Sequence, residues 1–181
     1  MVNLLNKKVL RPLLKQMRVS IPHSRREEAS MALLDQLLPA LTHARHILSF
    51  VNLADEIDTS LINLYLARTG RLVLPKVVGE TLNTFRVSNP HGHLLVGSFG
   101  ILEPNPKWCP EIDINLLDII LVPALGFDPH HHRLGYGRGF YDRFLKQIPD
   151  KQTIGIGFKE QLIPYIPSQA HDMPLEKVSL F

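Results

Sequence analysis

Apolar positions along the chain switch between helical and strand-like spacing, and the switching predicts the order of the elements. Met31, Leu33, Leu34, Leu37, Leu38 and Leu41 form one broad apolar face of a helix that extends to about Thr42. Ser24, with Glu27 three residues on, reads as the capping box that opens it. His46 to Val51 is an apolar run of strand length. Asp58 or Thr59 can cap a helix through Leu66, and Arg71 to Pro75 is a further strand closed by proline. Thr81 to Val87 and Leu94 to Glu103 read as strands with a hairpin-like link at Asn89-Pro90-His91-Gly92. Leu116 to Val122, a loop, a helix from about Phe140 and a strand near Thr153 to Phe158 complete the pattern.

Strands alternating with helices predict a three-layer, Rossmann-like α/β fold: a mostly parallel open sheet with helices on both faces. Residues 1 to 181 are read as one domain, with an antiparallel excursion between 81 and 103. Ligands of such sheets sit beyond the carboxyl ends of the strands. The loops after Val51, Pro75, Glu103 and Val122 then share a rim, where Glu56 and Glu103 can meet the segment after Val122.

Composition adds limits. Of 181 residues, 45% are hydrophobic and 20% charged, the balance of a globular chain with a real core. The single cysteine, Cys109, has no disulfide partner and reads as inert, so a reducing, cytoplasmic setting is expected. No run approaches the ~18 apolar residues of a membrane span. The net charge of +3 is uneven, because residues 1 to 26 hold seven basic side chains and no acid, leaving −4 for the rest. Such an arm suits a nucleoside triphosphate, a polyanionic tail, nucleic acid or organelle import. Within it, Lys15 and Arg18 fit a solvated helix face, with Leu4, Leu5, Leu13, Leu14 and Met17 interleaved. Pro12 implies that the first helix starts late or kinks.

The chemistry concentrates between Val122 and Leu145. Ile119 to Val122 reads as a buried strand closed by Pro123, and Phe140, Tyr141, Phe144 and Leu145 return at helical spacing. Gly135, Gly137 and Gly139 therefore occupy a strand-to-helix junction, where backbone amides can approach an anion. Arg133 and Arg138 bring fork-shaped donors for phosphate oxygens, and Asp142 a carboxylate for an accompanying magnesium ion. Gly-x-Gly-x-Gly alone also marks ordinary turns, and neither the Walker nor the dinucleotide pattern is present. His130, His131 and His132 lack the spacing of a metal site, and adventitious binding is expected there. Phe50, Phe85 and Trp108 read as core aromatics.

The block VPALGFDPHHHRLGYGRGFYDRFL resembles the signature of the 5-formyltetrahydrofolate cyclo-ligase family. Lys7 and Arg11, Glu56-Ile57-Asp58-Thr59, Leu74-Pro75, Gly100 to Pro104, Ile154-Gly155, Gln161 and His171-Asp172 follow in the family's order. The resemblance implies a CoA-transferase-like variant of the fold, ATP and Mg2+ as cofactors, and a monomer with no membrane or nucleic-acid partner. It places ATP on Lys7, Lys8, Arg11, Arg133, Leu134, Gly135, Tyr136, Gly137, Arg138, Gly139, Phe140 and Tyr141. Among these, Arg133, Arg138 and Tyr141 are the implied catalytic groups. Val51, Glu56 and Glu103 are implied to hold 5-formyltetrahydrofolate, polyglutamylated forms included, with Glu56 accepting from the pterin N–H groups. Asp142 and Asp172 are the implied magnesium ligands. His131 departs from the family, which often has glycine there.

The implied reaction answers a chemical difficulty. A formamide carbon is a poor electrophile, and direct ring closure would expel hydroxide. Phosphorylation of the formyl oxygen by ATP lets the second folate nitrogen attack and phosphate leave, giving 5,10-methenyltetrahydrofolate. Positioning and charge stabilisation suffice, with no protein nucleophile. Two other readings stand beside this one. A nucleotide- or nucleic-acid-binding module on the same fold fits the basic arm, against the intact Glu56, Asp142 and Asp172. A sugar-phosphate enzyme would need an acid/base pair that the sequence does not offer.

Overall fold

The alternation of side chains along each strand sorts the apolar residues onto two faces of one sheet. In a computed structural model that describes residues 6–169 and 172–181, six strands make this sheet. The chain runs α1 (Lys7–Ser20), α2 (His23–Leu37), β1 (Ile47–Leu48), α3 (Ser60–Arg68), β2 (Leu72–Val78) and β3 (Thr81–Arg86). There follow β4 (Leu94–Val96), β5 (Leu102–Pro104), β6 (Ile119–Pro123), β7 (Gly126–Phe127) and β8 (Arg133–Leu134). The last elements are α4 (Phe140–Leu145), β9 (Gln152–Gly157) and β10 (Lys177–Leu180). The sheet order is β10-β9-β6-β1-β2-β3, parallel except for β3, which runs antiparallel to β2. The expected α/β class and antiparallel excursion are both present.

Ile47, Leu72, Ile119, Leu121, Ile154 and Ile156 face α2 and α3, which contribute Ala29, Leu33, Leu37, Ile62 and Leu66. Leu48, Val73, Ile120 and Val122, one residue out of phase, face α4 through Phe144 and Leu145. The two half-cores make the three layers. A third cluster joins Leu10 and Leu14 of α1 to Leu125 and Leu134, beside and on the β7–β8 hairpin. This contact sets the first helix against the glycine-rich segment. The sheet's direction of winding reverses between β1 and β6, the switch point at which such folds open a crevice.

Several boundaries differ from the pattern, each for a local reason. Pro12 lies inside α1, which begins at Lys7 under the side chain of Asn6, a cap that accepts from the amides of Lys8 and Val9. Tertiary packing of Leu10 and Leu14 offsets the one helical bond that proline removes. Ser24 makes no cap, because α2 starts at His23 after Pro22. That helix stops at Leu37, and Pro39 tightens the continuation to a 3-10 turn over Leu38–Leu41. Thr59 caps α3 by position only, its hydroxyl donating to Phe50, while the Asp58 carboxylate accepts from Ser60.

The strand at Arg71 to Pro75 continues to Val78, since β1 leaves β2 after Val73 and proline is tolerated on a strand paired on one side. The segment from Leu94 to Glu103 is not one strand. A turn at Ser98–Gly100, with Phe99 at φ 59° and Gly100 at φ 75°, folds β4 and β5 into their own hairpin, and β3 does not pair with β4. Trp108 is 55% exposed and stacks on His93, whereas Phe50 and Phe85 are buried as expected. Leu4, Leu5 and His171 lie outside the described residues.

Asp128 organises the loop that follows β7. It accepts from the amides of His130, His132 and Ile166 and from the His132 ring, which holds its carboxyl below the usual range against the opposing effect of burial. The turn forces His131 to φ 63°, and its carbonyl accepts from Leu175. Left-handed backbone disfavours any residue with a Cβ by about 1 kcal/mol. His131→Gly is therefore expected to raise the thermal midpoint, with a net gain up to about 1 kcal/mol once glycine's freer unfolded chain is counted. Thermal unfolding followed by circular dichroism checks this, and a lowered midpoint refutes it.

Candidate active site

Loops leaving β1 and β6, the middle of β2, the β4–β5 hairpin and the start of α1 enclose a cavity of roughly 380 Å³. It is lined by every residue that the sequence picked for a site except Lys8. Lys8 is exposed because Lys7 and Arg11, one helical turn apart, share the face of α1 that looks into the cavity, and Lys8 is rotated off it.

One end of the cavity is built around Glu56. A turn in which Glu56 N–H donates to the Leu53 carbonyl (3.0 Å) and Leu53 N–H to Glu56 Oε2 (2.9 Å) fixes the side chain. Arg18 Nη1 and the Tyr136 hydroxyl both donate to Oε1 at 3.3 Å. Burial pushes the Glu56 carboxyl above its ordinary value, against the lowering effects of the Leu53 amide and Arg18. Val51 and Phe50 line the same end. Tyr136, picked for ATP, thus points its hydroxyl at the acidic end, where burial and Glu56 push it up to about 12.

Arg18 is the residue that sequence reasoning misplaced. It is fully buried, not solvated. Its Nε and Nη2 donate to Asp55 Oδ2 at 3.0 and 2.6 Å, Nη1 donates to the Ala124 carbonyl at 3.3 Å, and Nη2 also meets the Tyr136 hydroxyl. Asp55 is its ion-pair partner. The signal was present, since positions 7, 11, 14 and 18 fall on one helical stripe.

The other end gathers cations. Arg133, 9% exposed, donates from Nη2 to Asp142 Oδ1 at 2.6 Å and from Nη1 to the Met173 carbonyl. Burial lowers its pKa despite Asp142. Lys7 pairs with Asp172, which also accepts from the Gln169 amide at 2.6 Å. Arg11 Nε donates to the Gly135 carbonyl at 3.0 Å. Gly137 has φ 93°, and a Cβ there would stand 3.0 Å from the Arg11 guanidinium carbon. Between the two ends lies Tyr141, whose hydroxyl burial keeps protonated, with the Glu56 charge acting in the same direction.

The β4–β5 hairpin closes the remaining side. Phe99 packs 6.1 Å from Phe140, and the Arg138 guanidinium sits 5.3 Å over its ring. Glu103 lines the cavity, but its carboxylate is engaged by Lys76 Nζ (3.3 Å), Val77 N–H (3.4 Å) and Ser98 N–H (3.2 Å). It ties the hairpin to β2 because Gly97 leaves space for it, a Cβ there falling 2.3 Å from Oε2. Glu103 thus has a structural tie as well as a place on the cavity wall. At a distance, His132 is bonded to Asp128, and burial raises the Cys109 thiol.

The arrangement joins a buried carboxylate to a cationic pocket with two further acids. A family profile described as the 5-formyltetrahydrofolate cyclo-ligase family matches residues 4–180. The chain belongs to that family. The cyclo-ligase of Mycolicibacterium smegmatis is 33% identical over 96% of this chain and 92% of its own, and that of Mus musculus 28% identical over 95% and 92%. The NMR structure of 5,10-methenyltetrahydrofolate synthetase from Aquifex aeolicus superposes with a TM-score of 0.84 at 28% identity, covering 95% of this chain and 88% of that one. The Mycoplasma pneumoniae synthetase, at 22% identity and a TM-score of 0.77 over 96% and 98% of the two chains, shares the fold.

Gly137→Ala tests whether this cyclo-ligase glycine loop is shaped for Arg11. The substitution is expected to cost about 1 to 2 kcal/mol in folding, from the positive φ. It is also expected to weaken calorimetric binding of inorganic triphosphate, because the added methyl displaces the Arg11 guanidinium. Unchanged triphosphate affinity would dismiss the role of Arg11.

Proposed function

We propose that this chain catalyses ATP-dependent closure of 5-formyltetrahydrofolate to 5,10-methenyltetrahydrofolate, with release of ADP and phosphate, as its family does. The observation that carries the proposal is the single cavity linking Glu56 to the Lys7, Arg11 and Arg133 cations. The pterin edge, a row of N–H donors, meets Glu56 beside Val51, and the triphosphate lies along the glycine loop. The formyl oxygen and the terminal phosphorus are then brought together near Tyr141 and Arg133. The oxygen takes the phosphoryl group as ADP leaves, the second folate nitrogen bonds to the formyl carbon and loses its proton, and phosphate departs with the oxygen. Arg133 and Arg138 neutralise the charge on the transferred group, and Tyr141, protonated throughout, donates a hydrogen bond.

Asp142 and Asp172 suit magnesium. Both are hard oxygen donors on the cavity wall, and magnesium takes one or two carboxylates together with phosphate oxygens and waters. Among the described residues no group of three acidic, His or Cys side chains gathers for a metal, so phosphate oxygens and waters would supply the ion's other ligands. When bound, the ion would neutralise and orient the phosphates. Among the described residues no helix is long and apolar enough to cross a membrane.

An assay with ATP and 5-formyltetrahydrofolate is expected to show ADP release matched by methenyl absorbance, and a folded protein giving neither would refute the proposal. Arg133→Ala is expected to lower kcat by about 10²- to 10³-fold. Folate binding is expected to weaken as pH falls through a group above the ordinary glutamate value of 4.5, because protonated Glu56 loses acceptor capacity. Glu56→Gln should remove that limb and weaken folate binding about tenfold. Equilibrium titration across the acid range measures both.

A further inference from the structure

Arg18 touches no solvent, and it stands behind the acidic end of the cavity. Its place is fixed from the rear by three elements. α1 carries it and packs on Leu125 and Leu134, the Ala124 carbonyl beyond β6 accepts from Nη1, and Arg26 Nη2 donates to the Arg18 carbonyl. From this seat the fork spreads forward to Asp55, Glu56 and Tyr136, the first two on the β1–α3 loop and the third on the glycine loop.

We propose that Arg18 is a positioning residue for folate recognition, which holds Glu56 Oε1 and the Tyr136 hydroxyl in the arrangement that receives the pterin. This rests on the reading of Glu56 as the folate acceptor. Among the described residues, the charged and titratable groups acting on Glu56 include Arg18, Asp55, Tyr136 and Tyr141, and Arg18 is the cation bonded to it. Adjacent Asp55 and Glu56 repel when both are ionised, and burial favours the neutral acid. One guanidinium bonded to both adds to the Leu53 amide in keeping Glu56 an acceptor, and it fixes the direction of Oε1. A lysine would retain the charge but lacks the planar fork needed to reach Asp55, Glu56, Ala124 and Tyr136 together. The buried pair contributes little net stability compared with an apolar replacement, so its effect is expected in binding.

The test measures dissociation constants for 5-formyltetrahydrofolate and for ATP separately, against pH, in wild type, Arg18→Lys, Glu56→Gln and the double variant. Arg18→Lys is expected to weaken the folate about tenfold or more and to leave ATP within about twofold. Its acid limb should also move to higher pH, a readout that a scaffold role would not change. In the double variant the folate loss should fall well short of the product of the two single losses, because Arg18 acts mainly through that carboxylate. A lowered thermal midpoint with folate affinity and limb unmoved overturns the proposal, as does an additive double variant. If Glu56→Gln binds folate like wild type, the reading of Glu56 fails first. A normal loss in Glu56→Gln with none in Arg18→Lys removes the role of Arg18 alone. Arg18→Met extends the series where it folds, and Arg18→Lys decides the matter where it does not.

Discussion

A guanidinium buried without water must find its counter-charges and acceptors among its neighbours, and the cost of leaving any of them out is several kcal/mol. Arg18 imposes that demand on this molecule. Meeting it brings Asp55 and Glu56 inward on the loop after β1, Ala124 inward beyond β6, and Tyr136 over from the glycine loop. The first two segments leave the neighbouring strands β1 and β6 at the switch point of the sheet, and Tyr136 joins them from beyond the β7–β8 hairpin. The apolar contact of Leu10 and Leu14 with Leu125 and Leu134 supplies the other half of the constraint, since it docks the helix that carries the charge.

The cationic end follows a different economy. Arg133 and Lys7 are each matched to an acid, Asp142 and Asp172, so the ligand-free pocket holds both signs in balance. Phosphate oxygens suit the two cations and a magnesium ion suits the two acids. Under the proposed reading, a metal-bound triphosphate would exchange these partners and leave no buried charge unanswered. Tyr141 stands where the ends meet, with Glu56 and Arg133 acting on its hydroxyl in opposite senses.

Much of this was legible in the sequence where a signal is local or periodic. The strand runs at Ile119 to Val122 and near Thr153 to Phe158, the glycine loop, and the Lys7/Arg11 spacing all reflect short-range geometry. What escaped depends on partners far along the chain. Arg18 looked solvated because its acids are 37 and 38 residues away. The turn at Phe99 was hidden inside an apolar stretch that reads as one strand, and it rests on the positive φ of Phe99 and Gly100, with Glu103 seated over Gly97. Short elements such as β7, β8 and β10 carry too few residues to show a period. His131 is the reverse case, in which a departure from the family pattern acquired a physical meaning once its positive φ was seen.

The pairing of Lys7 with Asp172 spans 165 positions of the chain. Ribosomes deliver residues in order, so α1 and its cations exist long before the acid that completes their pocket. Docking α1 early against Leu125 and Leu134 must wait for those residues in turn. A chain terminated before Asp172 thus lacks the acid that pairs with Lys7, even where Arg18 already has Asp55 and Glu56 within its length.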